Sequence, residues 1–165
     1  MSRRVIRENC NPNKINHKQK ERNNMNENIN NINNETYEST ITFTTRELNP
    51  IEKIKLKDLT ATVALDDELK SIPDHKLTFT PELIVIVSVH NPKAKSNLDY
   101  ETLVFTDSET GVRYRTSSMS FKSAVLDIVN DLIAADINPN TVPLVAYTRP
   151  SKNFTGKDFL TCAIA

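Results

Sequence analysis

The sequence of 165 residues is poor in the residue types on which nucleotide-binding loops and metal sites depend. It contains two glycines, which are too few to build a glycine-rich phosphate-binding loop. Its two cysteines and three histidines are scattered, without the short spacings that hold zinc or pair a nucleophile with a base. We therefore predict no catalytic site, no metal and no cofactor, and a protein that is not an enzyme.

Long apolar runs and an excess of one charge are also missing. The longest mainly apolar run, residues 83–89, is far too short to cross a bilayer, so no membrane partner is expected. Lys and Arg together number 21, as do Asp and Glu, so the strongly basic footprint of many nucleic-acid-binding proteins is absent. Any binding to nucleic acid must depend on a few well-placed cations. Cys10 and Cys162 have no metal-like spacing, which favours a reduced, cytoplasmic setting.

The N-terminal part differs sharply in composition from the rest. Twelve of the first 34 residues are Asn and few are large and apolar, so this part cannot bury enough surface to offset its chain entropy. We predict a disordered tail over residues 1–39 and one folded domain over residues 40–165. Residues 20–25, KERNNM, could be encoded by a purine-rich ribosome-binding site and a start codon, which makes Met25 a candidate initiator. A genuine basic arm that contacts phosphates is an equal alternative.

The folded part is predicted to be mainly β, because alternating and β-branched runs recur between turn residues. The first predicted strand covers residues 40–44, and Pro50 is placed at the start of a short helix. Residues 58–65 are ambiguous between strand and helix, and the acidic residues 66–68 are predicted to form a solvated turn. The five strands that follow are predicted over residues 83–89, 100–106, 112–116, 142–148 and 158–164, with the two glycines, Gly111 and Gly156, in the hairpin turns.

One clear helix is predicted between the third and fourth of these five strands. Its apolar stripe has the 3.6-residue period of an amphipathic helix. Three strands, a helix and two strands, in that order, are typical of a five-stranded Greek-key barrel of the OB type. A small α+β meander of another kind is the alternative. The residues of the stripe are Phe121, Val125, Ile128, Val129, Leu132 and Ile133.

Two stretches resemble a known group of proteins. Residues 105–121 include GVRYRTSSMSF, and residues 149–160 read RPSKNFTGKDFL. Both resemble small single-stranded DNA-binding proteins of Gram-positive phages and conjugative plasmids, and residues 46–58 are similar to the segment that precedes their barrel. The resemblance covers about residues 42–165 and implies an OB-fold DNA binder in the cytoplasm of a bacterial host. One departure is that many bacterial proteins of this function end in an acidic tip, whereas this sequence ends TCAIA.

Strand parity predicts which side chains face a ligand. Arg113 and Arg115 share one face of their strand and should point outward, because burying two arginines in a small barrel would be very costly. Phe154, at the tip of a polar hairpin, is expected to stack on a base. Parity leaves open whether Tyr147 belongs to the core. The predicted nucleic-acid-binding residues are Lys93, Lys95, Tyr100, Arg113, Arg115, Tyr147, Arg149, Lys152, Asn153, Phe154 and Lys157.

The leading hypothesis is a non-enzymatic protein that coats single-stranded DNA during replication or conjugative transfer, with little sequence preference. Binding to duplex DNA or RNA, and self-association on DNA, are left open. The alternative is an OB-type adaptor of phage or plasmid origin, in which the same loop grips a polypeptide. A magnesium-dependent nuclease that uses the acidic residues 66–68 and Asp74 ranks third, because adjacent acids in a turn usually form a solvated face.

Overall fold

The structure, a computed structural model, describes residues 37–153 and 155–165 and is mainly β, as predicted. Most of the predicted tail, with Cys10 and Met25, and also Phe154 lie outside the described residues. The first strand begins at Glu38, two residues before the predicted start of the folded domain.

Eight strands and three α-helices make up the described part of the chain, together with short 3-10 turns at Leu59–Ala61 and Pro139–Thr141. The prediction of a helix between the third and fourth of the five strands is confirmed. All six predicted strands, residues 40–44 and the five that follow, are present, and two further short strands were not predicted. In chain order the elements are β1 (Glu38–Thr44), α1 (Pro50–Lys57), β2 (Val63–Ala64), α2 (Leu65–Ser71), β3 (Lys76–Phe79), β4 (Pro81–His90), β5 (Asp99–Asp107), β6 (Arg113–Thr116), α3 (Met119–Ala134), β7 (Leu144–Pro150) and β8 (Asp158–Ile164).

These strands form two open sheets. The five-stranded sheet has the order β1-β4-β5-β6-β2, and the three-stranded sheet has the order β3-β7-β8. All neighbours pair antiparallel except β2 and β6, which are parallel. Only Thr80 separates β3 from β4, so one nearly continuous stretch of chain takes part in both sheets.

The inner core lies against α3 and contains residues from both sheets. Phe105 on β5 stacks on Phe79 and Tyr114, with ring centroids 4.1 and 5.3 Å apart. Phe121 on α3 is fully buried beside them, and Leu144 on β7 joins the same cluster. The predicted helix stripe is therefore confirmed in its main part, because Phe121, Val125, Val129 and Leu132 are all buried.

Ile133 is an exception to the predicted stripe, since 56% of it is exposed. At about 100° per residue, a position twelve residues after Phe121 is rotated by about 120° from it around the helix axis. Leu132, eleven residues after Phe121, is rotated by only about 20° and remains buried. The stripe was predicted one residue too wide.

The opposite face of the five-stranded sheet is covered by α1. Leu56 of this helix is buried in a second apolar cluster with Val85 and Val87 of β4 and Val104 of β5. The helix starts at a capping box, in which Asn49 and Glu52 each accept a hydrogen bond from the backbone N–H of the other. Residues 83–87 of β4 are buried on both faces of the sheet, so this part of its sequence is a continuous apolar run and does not alternate.

An irregular register in β1 sends neighbouring apolar residues to different clusters. Ile41 pairs with Val87, but Phe43 pairs with Ile86, so the strand contains one extra residue at this point. Ile41 consequently packs on the α1 side of the sheet and Phe43 on the α3 side. Simple alternation would have placed both side chains on one face.

The prediction of a turn at residues 66–68 is wrong, because these residues form the first turn of α2. Leu65 and Leu69, four residues apart, are both buried and bind the helix to the inner core. The acidic side chains of the first turn suit the positive end of the helix dipole. The four-residue spacing of the two leucines was the available signal.

A buried carboxylate links the hairpin turn between β5 and β6 to the junction of the two sheets. Asp107 Oδ1 accepts a hydrogen bond from the backbone N–H of Thr80 at 3.2 Å, and Oδ2 accepts one from the hydroxyl of Thr110 at 2.6 Å. Gly111 closes the same turn with a φ of 69°, as predicted. Burial acts to raise the pKa of Asp107, but the hydrogen bonds that it accepts outweigh burial and hold the pKa below its usual value.

We expect Asp107→Asn to lower the free energy of unfolding by about 1–3 kcal/mol at neutral pH. Because the pKa is depressed in the folded state, the stabilising effect is present above the unfolded pKa of about 3.9 and is lost as the pH falls through the folded value. Urea unfolding of both proteins at about pH 7 and about pH 3 measures the difference. A difference that is absent, or that does not shrink at the lower pH, would contradict this role.

Candidate nucleic-acid interface

The residues predicted to bind nucleic acid fall into two groups, one on each sheet. The first group consists of Tyr100, Arg113 and Arg115 on the five-stranded sheet, with Lys93 and Lys95 in the loop between β4 and β5. The second group lies on β7 and in the loop between β7 and β8. Its described members are Tyr147, Arg149, Lys152, Asn153 and Lys157, while Phe154 lies outside the described residues.

In the first group, strand parity correctly predicts the directions of the side chains. Tyr114 is only 6% exposed and packs in the inner core, whereas Arg115 is exposed on the other face. Arg113 is also on that face, but α1 covers it. Its Nη1 donates a hydrogen bond to the backbone carbonyl of Lys55 at 3.0 Å. Arg113 therefore holds the C-terminal end of α1 against the sheet, which the sequence did not predict.

Because of this contact, replacing Arg113 and replacing Arg115 should have different effects on the free energy of unfolding. Arg113→Ala should lower the free energy of unfolding by about 1 kcal/mol, because the Lys55 carbonyl loses a charged donor. Arg115→Ala should change it by no more than about 0.5 kcal/mol, as is usual for an exposed side chain. Parallel denaturant titrations of the two variants give both values. Equal effects would show that the hydrogen bond to Lys55 does not stabilise α1.

A second tyrosine completes the exposed end of the first group. Tyr37 is 48% exposed and its side chain lies near that of Tyr100. Partial burial and then the contact with Tyr100 raise the pKa of Tyr37, while the nearby Arg115 acts in the opposite direction. The predicted tail, residues 1–39, includes Tyr37, so the sequence analysis does not place this residue at the site. The available signal was that it is the first aromatic residue in the sequence.

Lys93 and Lys95 are exposed in the loop that joins β4 to β5. A contact of 2.7 Å between His90 Nδ1 and Asp99 Oδ1 closes the base of this loop. Tyr100 follows Asp99 directly and pairs with Val89, so both lysines project from the end of the sheet at which Tyr100 lies. The structure thus brings the loop to the same end of the sheet as Tyr100 and Tyr37.

The second group belongs to a larger surface, which we call the outer face of the three-stranded sheet. Alternate residues of β3, β7 and β8 point into the inner core, as Leu77, Ala146 and Leu160 do. The residues between them point outward and are exposed or half-buried. No outward position on these strands is acidic. The outer face consists of Lys76, Thr78, Val145, Tyr147, Arg149, Phe159, Thr161 and Ala163.

Rings and cations are direct neighbours on this face. Tyr147 pairs with Lys76 on β3 and with Thr161 on β8, and Arg149 pairs with Phe159. Opposite residues of antiparallel strands have Cβ atoms about 4.5–5.5 Å apart, so each ring lies beside a cation. The question that parity left open is thereby answered, since Tyr147 is half-buried on the outer face and is not part of the core.

The loop between β7 and β8 continues the outer face. A hydrogen bond of 2.8 Å from the backbone N–H of Ser151 to the carbonyl of Lys157 closes it, and Gly156 turns the chain with a φ of 75°. Lys152 and Asn153 are exposed. Together with Arg149 and Phe159, they line an open cavity with a volume of about 590 Å³. The loop and the outer face therefore form one surface.

Two residues of this surface were missed. Lys76 belongs to β3, a strand that was not predicted, although its sequence KLTF alternates as a half-buried strand should. Phe159 alternates with the buried Leu160 and was recognisable as outward-facing by the same reasoning as Arg113. Asp158, the nearest acid along β8, lines a different cavity with Asp66 and His75.

Other chemistry finds little support among the described residues. Their His, Cys, Asp and Glu side chains nowhere form a group of three or more that could hold a metal. Of the acids considered for magnesium, Asp66 accepts a hydrogen bond from Thr116 and Asp67 lies 3.2 Å from Lys70. Burial raises the pKa of Cys162 to about 12, which makes its thiol a poor nucleophile. Within residues 37–153 and 155–165, no helix has the length and apolar character needed to span a membrane.

Comparison of the chain with protein-family models, with curated proteins and with solved structures finds no match. The resemblance to phage and plasmid DNA-binding proteins therefore stays a prediction.

Proposed function

We propose that this protein binds single-stranded DNA without enzymatic activity, through the outer face of the three-stranded sheet and the loop between β7 and β8. The observation that supports this most strongly is the composition of that face, which holds two rings and two cations and no carboxylate. Proteins that bind single strands combine aromatic rings, on which bases stack, with cations that follow the backbone. Every base has a face that can stack, so such binding has little sequence preference.

The zero net charge of the chain is compatible with this proposal, because cationic and acidic residues lie on different surfaces. Lys76, Arg149 and Lys152 lie on or beside the outer face, whereas acidic residues are absent from its strand positions. A strand of nucleic acid that contacts this face would meet locally positive potential. The small number of cations also means that stacking should supply a large share of the affinity.

An OB-type barrel is part of the proposal. The order β4, β5, β6, α3, β7, β8 is that of this fold, and β3 and β4 together act as one long strand shared between two sheets. The shared strand supports the proposal, since β3 pairs with β7 and β4 pairs with β5. The described pairings leave both sheets open, so closure of the barrel would require an additional contact between strand edges.

The first group would provide a second contact surface for the same single-stranded DNA molecule. Tyr37 offers a ring near Arg115, Tyr100 lies next to Tyr37, and Lys93 and Lys95 project from the adjacent loop. Phe154, predicted from the sequence alone, would add a ring at the loop of the second group. Coating of replication or conjugative-transfer intermediates in a bacterial cytoplasm is the role that fits a binder with little sequence preference.

Salt dependence tests the proposal. Fluorescence anisotropy with labelled oligo-dT should show binding at low salt that weakens as salt is raised, because phosphate contacts release counterions. The double variant Lys76→Ala, Arg149→Ala should flatten the slope of log K against log salt by about 1.4, at about 0.7 per phosphate contact. Duplex DNA of the same length should bind less tightly, since its bases are not free to stack.

The matched control removes two cations from α1 in the double variant Lys53→Ala, Lys57→Ala, which should leave the slope unchanged. Absence of oligo-dT binding at low salt would overturn the proposed function. Equal slopes for the two double variants would show that the outer face is not the binding surface.

A further inference from the structure

β1 forms one edge of the five-stranded sheet. Among the described strands β1 pairs only with β4, so its other edge presents backbone groups without a strand partner. β1 contains no proline, and its one charged residue is Glu38 at its first position. Edge strands in natural proteins are usually protected by charged residues and prolines, and residues 39–44, which have neither, can act as a template for an additional strand. The bulge between Ile41 and Phe43 bends the strand but leaves the register of residues 38–41 regular.

A groove runs along this edge. Residues 40–44 form one wall and α1 contributes the other, with an open volume of about 660 Å³ between them. Leu48 adds an apolar side chain to the lining. Lys53 and Lys57, four residues apart and exposed, both face the groove, and neither has an ion pair with any residue that the structure describes. Glu47 is the one acid in the lining, so the groove is positively charged overall.

We propose that this groove binds an extended acidic segment of a partner protein, which joins the sheet as an additional strand beside β1. Main-chain hydrogen bonds to the free edge would supply affinity, as in other complexes formed by strand addition. Lys53 and Lys57 would select for carboxylates on the segment, because each is a flexible, exposed cation. Alternate side chains of the segment would contact Ile41 and Leu48 in the lining.

The pattern of backbone groups favours a polypeptide over nucleic acid at this edge. A strand edge offers N–H donors and C=O acceptors in alternation, and another strand offers the complementary series. A sugar–phosphate backbone presents acceptors on its phosphates and cannot match the carbonyls. This inference goes beyond the proposed DNA binding and does not depend on it, since the groove and the outer face of the three-stranded sheet share no residue.

The test uses the full chain and a short fluorescein-labelled peptide in which glutamate alternates with valine. We expect saturable binding, at least tenfold weaker for the double variant Lys53→Glu, Lys57→Glu. The control double variant Lys55→Glu, Lys70→Glu makes the same change in net charge outside the groove and should bind like the unaltered chain. A peptide with lysine in place of glutamate, and the acidic peptide with its central amides N-methylated, should each bind at least tenfold more weakly.

Several results would overturn the inference. Equal binding of the N-methylated peptide would exclude strand addition, and equal loss in both charge variants would show a nonspecific charge effect. If the Lys53→Glu, Lys57→Glu variant lost oligo-dT binding instead, the groove would be a nucleic-acid site. A stable dimer in which β1 amides are protected from hydrogen exchange would assign the edge to a second copy of the chain.

Discussion

Replacing Tyr147 and Phe159 together by alanine should weaken binding to oligo-dT by about thirtyfold or more. Each ring that stacks on a base contributes about 1–3 kcal/mol, so loss of both removes at least about 2 kcal/mol. The two residues lie diagonally across β7 and β8 on the outer face, next to Arg149 and Thr161. The loss should be similar at every salt concentration, because stacking releases no counterions, and this distinguishes it from the effect of removing cations.

The matched control exchanges the two rings and keeps both. The double variant Tyr147→Phe, Phe159→Tyr should bind oligo-dT within about threefold of the unaltered chain, because stacking needs the aromatic face and not the hydroxyl. Both residues are only half-buried, so circular dichroism should show that all variants are folded. Unchanged binding by the alanine variant would exclude these rings as the stacking surface, even if the chain binds DNA.

Phe105→Ala should have the largest effect on stability, about 3–5 kcal/mol. Phe105 is fully buried at the centre of the inner core, where its ring contacts Phe79 of the three-stranded sheet, Tyr114 of β6 and Phe121 of α3. Removing the ring leaves a cavity that touches both sheets and the helix. Urea unfolding followed by circular dichroism measures the change in free energy.

An exposed apolar residue provides the comparison for Phe105. Ile54 on α1 is 71% exposed, and Ile54→Ala should alter the free energy of unfolding by no more than about 0.5 kcal/mol. A loss below about 1 kcal/mol for Phe105→Ala would mean that the two sheets and α3 do not share one core.

Features encoded by local patterns were predictable from the sequence. β4 is a continuous apolar run, and α3 has an apolar stripe with helical period. Gly111 and Gly156 adopt the positive φ values that their hairpin turns require. Alternation also predicted correctly that the side chains of Arg113 and Tyr114 point to opposite faces of the sheet. The two residues are adjacent in one strand, and only the tyrosine tolerates burial.

Features that depend on distant pairing were not predictable. β3 is four residues long, and Lys76 reaches the outer face only because this strand pairs with β7, about seventy residues later. Nothing near Arg113 in the sequence indicates that α1 folds over it and that the carbonyl of Lys55 accepts its hydrogen bond. The bulge in β1, which separates Ile41 from Phe43, likewise depends on the register with β4.

The candidate site shows the same division. Tyr147 and Arg149 could be grouped from the sequence, since they alternate along one strand next to a basic loop. Their neighbours Lys76 and Phe159 follow from strand pairing, and the absence of acids from the outer face becomes visible only when three strands are aligned. The net charge of zero hides the cations of the outer face, because net charge averages over surfaces that the fold separates.

The most direct test of the central claim is a titration of the isotope-labelled chain with short oligo-dT at low salt, followed by amide chemical shifts. Binding through the outer face predicts shifts in β7, β8 and their loop, and at Lys76 of β3, with smaller shifts around Tyr37 and Tyr100. The amides of α1 and of the free edge of β1 should not move. An unchanged spectrum, or shifts confined to α1 and β1, would contradict the account.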